Sequence, residues 1–217
     1  MRGPSVLVTG FEPFGGQAIN PSELAVRALD GRIVDGHRVI GRVLPCVFGE
    51  AAAALRKELR ALSPALVLCA GEAGGRAEIA VERVAINLDD ARICDNAGAR
   101  PIDRPIVPKG PAAYFATLPV KAIVSALCAA GIPAVVSHSA GTFVCNHVFY
   151  SLMRALARRP AVRGGFVHVP FVPEQAERAS PRPPSMPLAD IVRALEIAIA
   201  TSLRTARDLP ATGGAIY

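Results

Sequence analysis

The chain has 217 residues, of which 51% are apolar, 19% are charged and only 5% are aromatic. This length fits one domain, and the apolar content is large enough for a well-buried core, which excludes an intrinsically disordered chain. The net charge of +6 comes mostly from arginine, and the arginines are scattered and not interleaved with aromatic residues. That pattern is typical of a solvated surface, so we expect a single domain over residues 1–217 with no nucleic-acid partner.

Membrane segments and metal motifs are also absent from the sequence pattern. The apolar run at residues 5–8 is too short for a signal peptide, and none of the apolar runs reaches the ~18–20 residues of a membrane helix. The five cysteines are odd in number and widely separated, without the C-x-x-C spacing of a metal site. We expect a cytoplasmic protein with reduced cysteines, no metal and no membrane contact.

Apolar runs alternate with amphipathic stretches along the chain, which predicts an α/β protein: a three-layer α/β/α sandwich around a twisted, mostly parallel sheet. Asn20 and Pro21 mark the start of the first helix, because an asparagine cap followed by proline is a common helix N-terminus. In chain order, the first half is predicted to contain a strand over 5–9, a helix over 21–29, a strand over 38–44, a helix over 48–62 and strands over 65–70 and 81–87.

The second half begins with a segment rich in Pro, Gly and Asp over residues 95–111, which predicts a long loop. The segment 170–187 is rich in proline and is expected to be irregular. Helices are predicted over 118–130, 142–158 and 188–204, and strands over 134–137 and 165–169.

Cys145 follows a turn of small residues, Ser139-Ala140-Gly141, and falls in the first turns of the predicted helix 142–158. A thiol at this position is close to the positive end of the helix, which would lower its pKa and favour the thiolate. The alternative is a buried core cysteine without chemistry. Position alone leaves both open.

A thiol nucleophile needs a base nearby. His37 lies in a turn, and His138 lies between a strand and a turn. His147 is two positions beyond Cys145 on the same helix and therefore points elsewhere. His168 ends an apolar strand, where an open α/β sheet places its ligands, and is the best base on geometry.

Glu82 is a carboxylate within an apolar strand, Val81-Glu82-Arg83-Val84-Ala85-Ile86-Asn87. A buried carboxylate without a partner is costly, so Glu82 either pairs with Arg83 or Arg92 or holds an imidazole. The sequence pattern leaves the choice open.

Two glycine-rich stretches follow predicted strands, over residues 10–16 and 71–76. Neither matches a nucleotide-binding motif, and Glu72 in the second stretch would repel phosphate. Phe11 and Phe14 in the first stretch suggest a small apolar pocket instead. We therefore expect no nucleotide cofactor.

Several long motifs occur in one order: VLVTGFEPFGG, GRAEIAVERVAINLDDARICDN, GPAAYFATLPVKAIV, SAGTFVCNHVFYSLM and GFVHVPFVPEQ. In these the chain resembles, over nearly its whole length, the pyrrolidone carboxyl peptidases (pyroglutamyl peptidase I), which remove N-terminal pyroglutamate from peptides. The resemblance implies an α/β/α fold, acyl transfer without metal or cofactor, and a homotetramer. It also implies a catalytic triad of Cys145, His168 and Glu82.

The resemblance carries further residues over by motif. Arg92 matches an arginine near the carbonyl that becomes the oxyanion, and Asn20 and Glu72 match polar contacts to the lactam. A flat, mostly apolar lactam fits between apolar side chains. The residues that match the apolar pocket are Phe11, Phe14, Phe143 and Val144.

Three positions depart from the family pattern. Glu72 replaces the usual Gln, and an ionised Glu accepts hydrogen bonds but donates none. Ala80 replaces a Ser or Thr, and Phe143 replaces a more common Tyr. Two alternatives follow: a related cysteine amidase with another substrate, and a homologue that binds a lactam without turnover.

Overall fold

The computed structural model describes residues 3–177 and 180–214. Within these ranges the strands are β1 (Ser5–Phe11), β2 (Ile33–Val34), β3 (His37–Leu44), β4 (Leu66–Glu72), β5 (Ile79–Glu82), β6 (Val84–Ile86), β7 (Ala113–Phe115), β8 (Ala134–Ser137) and β9 (Arg163–Val169). The helices are α1 (Pro21–Leu29), α2 (Glu50–Leu62), α3 (Val120–Ala129), α4 (Val144–Leu156), α5 (Pro173–Ala176) and α6 (Leu188–Arg204).

The main sheet has seven strands in the order β2-β3-β1-β4-β9-β5-β8. The central strands β3, β1, β4 and β9 run parallel to one another, and β5 and β8 are parallel to each other but antiparallel to β9. The predicted α/β class with a mostly parallel sheet is therefore confirmed.

Helices cover both faces of this sheet, and successive strand residues alternate between them. On β1, Leu7 joins the core under α2 and α4, whereas Val8 joins the core under α1, α3 and α6. Phe166 and Val167 divide in the same way on β9. Because both faces are buried, the central strands are continuous apolar runs.

Helix α1 begins where the sequence predicts. The Asn20 Oδ1 accepts hydrogen bonds from the Ser22 backbone N at 2.9 Å and from the Ser22 Oγ at 2.7 Å. The Ser22 Oγ in turn accepts a hydrogen bond from the Phe11 backbone N at 3.0 Å. The cap therefore ties the start of α1 to the end of β1.

The predicted strand 81–87 is wrong as one element. β5 ends at Glu82, and β6 leaves the main sheet to pair with β7 in a separate two-stranded sheet. Apolar residues stand on both sides of Glu82 and Arg83 without a glycine or proline between them, so no local signal marks the end of β5. The short strands β2 and β7 also escape the sequence pattern, and residues 178–179 of the Pro-rich stretch lie outside the described residues. No helix within the described ranges has the length and apolarity to span a bilayer.

Candidate active site

The start of α4 presents Cys145 at the second helical position, directly after Phe143 and Val144. Gly141 has φ +73°, a left-handed conformation that a residue with a Cβ would adopt only with strain. Thr142 is then held from both sides: its Oγ1 donates to the Asp90 carbonyl at 2.7 Å, and its own carbonyl accepts from the Asp90 N at 3.0 Å. The loop that carries Arg92 is thus fixed to the turn before Cys145.

The Cys145 Sγ packs against the backbone of β4 at Gly71. A Cβ built on Gly71 would lie 2.8 Å from that Sγ and 2.8 Å from the Phe166 Cζ. Gly71 is the register partner of His168 on β9. Glycine at this position therefore lets the thiol pack against β4, directly beside the residue of β9 that carries the imidazole.

Gly71→Ala is expected to displace the thiol, because the new methyl group has no free space and the backbone conformation itself is ordinary. We expect kcat to fall about 100-fold, the typical cost of an ~1 Å misplacement, and stability to fall by about 1–3 kcal/mol from overpacking. Kinetics and urea unfolding measure the two effects. Gly3→Ala is the matched control, because no atom of a non-neighbouring described residue lies within 4 Å of its Cβ position. Unchanged kcat in Gly71→Ala would contradict this packing.

The His168 Nδ1 contacts the Glu82 Oε1 at 2.8 Å. Because β5 is antiparallel to β9, Ala80 lies opposite His168 and Glu82 lies opposite Phe166. Glu82 is therefore the diagonal neighbour of His168 on the same face, a separation that a long side chain spans.

Glu82 is completely buried, and its Oε2 has no hydrogen-bond partner among the described residues. Arg83, one of the two arginines that the sequence left open as its partner, donates instead to the Gly213 carbonyl at 2.7 Å. The nearby cation is Arg76, whose Nη1 lies 3.7 Å from the Glu82 Oε1. Sequence reasoning did not single out Arg76, and its only sequence signal is its place in the motif GRAEIAVERVAINLDDARICDN. The main partner of Glu82 is therefore the imidazole.

Burial raises the pKa of the Cys145 thiol well above its ordinary value, and the neighbouring Cys46 thiol and the Glu82 and Glu72 carboxylates add to the rise. Desolvation of the thiolate therefore acts against the pKa lowering that the sequence predicts from the helix end. A neighbouring base that takes up the thiol proton is therefore needed at this site.

A cavity of about 720 Å³ opens at the thiol. Phe14 and Phe143 form part of its wall, with ring centroids 5.8 Å apart. The residues predicted for the site that line this cavity are Cys145, His168, Glu72, Arg92, Phe14 and Phe143.

Three predicted pocket residues lie behind the cavity wall in the described structure. Phe11 is buried and packs against Phe166, with ring centroids 6.4 Å apart. Val144 is fully buried in the core. The Asn20 side chain caps α1 and donates its Nδ2 to the Glu12 carbonyl at 3.1 Å. These three residues are buried in the protein and do not line the cavity.

Glu72 ends β4 and is held by a residue that sequence reasoning did not single out. The Gln175 Nε2 donates to the Glu72 Oε2 at 2.8 Å, and the Gln175 Oε1 accepts from the Val172 N at 3.2 Å. Burial raises the pKa of Glu72, and the Gln175 hydrogen bond opposes this rise. Gln175 occurs in the motif GFVHVPFVPEQ, which was the only sequence indication of its importance.

A buried imidazole–carboxylate pair and a thiol at the start of a helix meet at one cavity, a combination that serves nucleophilic attack on an acyl group. The molecule is thus a hydrolase of the cysteine peptidase class. A family model described as pyroglutamyl peptidase matches residues 4–205. The chain therefore belongs to the pyroglutamyl peptidase family.

Named relatives agree with this membership. The chain is 60% identical over 216 residues to a pyrrolidone-carboxylate peptidase of Cupriavidus taiwanensis, covering 99% of this chain and 100% of the relative. It is 56% identical over 213 residues to the enzyme of the same name in Escherichia fergusonii, covering 98% and 99%. The crystal structure of pyroglutamyl peptidase I from Bacillus amyloliquefaciens superposes with a TM-score of 0.93 at 45% identity, covering 97% of this chain and 100% of that one.

Proposed function

We propose that this enzyme removes N-terminal pyroglutamate from peptides by acyl transfer through a triad of Cys145, His168 and Glu82. The observation that carries the proposal is a single cavity lined by the thiol, the imidazole and two phenylalanine rings. A five-membered lactam is flat and mostly apolar, so such walls suit it. The printed names of the relatives support the same substrate class.

His168 acts first as a base and then as an acid. Its Nδ1 is occupied by Glu82, which leaves Nε2 to take the thiol proton. The thiolate attacks the pyroglutamyl carbonyl, and backbone N–H groups at the start of α4, together with Arg92, stabilise the oxyanion. The imidazolium protonates the leaving amine, and water then releases pyroglutamate.

The lactam ring is recognised partly through Glu72. Because the Gln175 Oε1 accepts from the Val172 N, its Nε2 faces Glu72 as a donor. The atom of residue 72 that faces Gln175 must therefore be an acceptor. An ionised Glu72 presents its other oxygen to the cavity, where it accepts the lactam N–H but repels the lactam carbonyl.

The domain organisation, cellular location, oligomeric state and cofactor need of the enzyme are part of the proposal. We propose one catalytic domain over residues 1–217 that works in the cytoplasm as a homotetramer and needs no metal or cofactor. The support is the membership of the pyroglutamyl peptidase family. Sedimentation of the purified enzyme tests the tetramer directly.

A panel of amides with a common leaving group tests the substrate. We expect hydrolysis of the pyroglutamyl amide and at least 100-fold lower kcat/KM for the prolyl and open-chain glutamyl amides, since these lack the lactam carbonyl or the ring. Activity confined to an open-chain or prolyl amide would favour the related cysteine amidase. Activity on none of them, by an enzyme whose Cys145 is not labelled preferentially by iodoacetamide, would favour the non-catalytic homologue.

Glu72→Gln is expected to lower KM for the pyroglutamyl amide three- to tenfold at pH 8, with kcat changed less than threefold. The new amide keeps its oxygen toward Gln175 and turns its NH2 group to the lactam carbonyl. It gives up the contact of the carboxylate with the lactam N–H, but it replaces the repulsion of the lactam carbonyl by a hydrogen bond of about 0.5–1.5 kcal/mol.

The pH dependence follows from the raised pKa of Glu72. As the pH falls through that pKa, the carboxyl gains a proton and donates as the amide does, so the KM difference between the two enzymes narrows. Burial moves this narrowing to a higher pH than an ordinary Glu would give. A higher KM in Glu72→Gln would show instead that the ionised carboxylate is the better partner for the lactam N–H.

A further inference from the structure

A second cavity, of about 610 Å³, lies between α2, the C-terminal half of α4 and the loop 106–111. None of the residues that line it in the described structure also lines the catalytic cavity. The proposed hydrolysis does not use this second cavity.

Four cationic side chains surround this cavity. They come from three separate segments and are Arg56, Lys109, Arg154 and Arg158. Among the described residues, none of the four has a carboxylate within ion-pair distance, and no Asp or Glu lines the cavity. All four residues are exposed, so water and salt screen their mutual repulsion, and together they give this concave surface a positive potential that attracts an anion.

The C-terminus of α4 explains the position of only two of these four cations. Arg154 is in the last turn of α4 and Arg158 follows it, where cations stabilise the negative end of a helix. Arg56 is in the middle of α2, and Lys109 is in the loop, so neither gains from a helix C-terminus.

The floor of the cavity contains an unpartnered hydroxyl. Ser151 lines the cavity and is only 8% exposed, and within the described part of the chain its Oγ makes no hydrogen bond. A serine inside a helix usually bonds the carbonyl four residues earlier, as Ser202 does on α6, where its Oγ donates to the Ala198 carbonyl. Thr9 Oγ1 and Glu82 Oε2 are the fully buried side-chain oxygens without a partner in the described structure, so the Ser151 Oγ is open to the solvent of the cavity and available to a ligand.

The loop that carries Lys109 is held in place. The Asn87 side chain donates to the Val107 carbonyl and accepts from the Val107 N, both at 2.8 Å, and the Tyr150 hydroxyl donates to the Pro111 carbonyl at 2.7 Å. Lys109 itself has φ +59°, a conformation that costs a residue with a side chain about 1–3 kcal/mol. The loop is therefore organised before any ligand binds, which reduces the entropy cost of binding.

We propose that this cavity binds a small anion with several phosphate groups. Guanidinium groups donate paired hydrogen bonds to phosphate oxygens, and a lysine adds a point charge. The volume exceeds that of a single phosphate, and the charges approach from three sides. The apolar wall formed by Ile106, Val107 and Pro108 leaves room for a base if the phosphates belong to a nucleotide.

Calorimetric titration of the full-length enzyme with inorganic triphosphate, and separately with ATP, tests this site. We expect saturable binding of one molecule per chain. Arg56→Gln and Arg154→Gln should each weaken binding about tenfold, and Ser151→Ala about threefold. Arg60→Gln is the matched control: it removes the same charge from an exposed position of α2 that does not line the cavity. Circular dichroism checks that each variant is folded.

Equal affinity for triphosphate and ATP would show that the phosphates alone are recognised, whereas tighter ATP binding would place the base on the apolar wall. Absence of saturable binding by both compounds would overturn the proposal. So would equal weakening by Arg60→Gln, which indicates attraction to the whole surface. A glutamate-rich peptide that binds where neither phosphate compound does, or a change of sedimentation in Arg56→Gln, would assign the cavity to a protein partner or to a second copy and would also overturn it.

Discussion

Cys145→Ser is expected to lose at least about 10⁴-fold in kcat/KM toward a pyroglutamyl amide while the fold stays intact. Serine is nearly the same size as cysteine, so the packing against Gly71 is kept. The hydroxyl is far less nucleophilic than a thiolate, and its proton is harder for His168 to remove. Steady-state kinetics and thermal unfolding measure the two quantities separately.

The control for this variant is Cys128→Ser. Cys128 is an exposed cysteine on α3 that does not line the catalytic cavity, so its substitution should leave kcat/KM within twofold of wild type. Turnover by Cys145→Ser within tenfold of wild type would show that another group is the nucleophile.

Glu82→Gln is expected to reduce kcat about 10³- to 10⁴-fold with little change in KM. If the amide NH2 faces His168, it donates to Nδ1 and selects the tautomer whose Nε2 already carries a proton, which cannot serve as the base. If the NH2 turns away, it occupies the position of Oε2, which is buried without a hydrogen-bond partner in the described structure. In both cases the imidazolium that forms during attack loses its negative neighbour.

Glu78→Gln provides the comparison, because it makes the same substitution four residues earlier in a side chain that is less buried and does not line the cavity. It should keep wild-type kcat and the same midpoint of unfolding. A kcat for Glu82→Gln within a factor of ten of wild type would mean that the carboxylate does not assist His168.

Cys145 and His168 could be selected from local sequence for definite reasons. Cys145 follows a small-residue turn at a helix start, and His168 lies among the last residues of an apolar strand. Both signals depend on a few consecutive residues, so secondary-structure patterns carry them. The pKa of the thiol could not be predicted in this way, because it is set by burial among residues from distant segments.

The contact between Glu82 and His168 could not be predicted from local sequence patterns. The sequence around Glu82 and Arg83 carries no signal that β5 ends there. Only the pairing of β5 with β9 places the carboxylate diagonally beside His168. Arg76 and Gln175 contact Glu82 and Glu72 for the same reason: they are brought there by chain reversals rather than by spacing.

The amino-acid sequence by itself determined the α/β class and the bounds of α1 and α6, and it made Cys145 and His168 the candidate nucleophile and base, because each of these inferences rests on periodicity, caps or strand ends within one segment. Only the tertiary structure decided which predicted pocket residues reach the cavity. Phe14 and Phe143 line it, whereas Phe11, the last residue of β1, and Val144, the first residue of α4, are buried in the core, although each lies within three residues of a lining phenylalanine. The direction in which a side chain points depends on the packing of β1 and α4 against the rest of the sheet. That packing is a property of the folded chain and of no single segment.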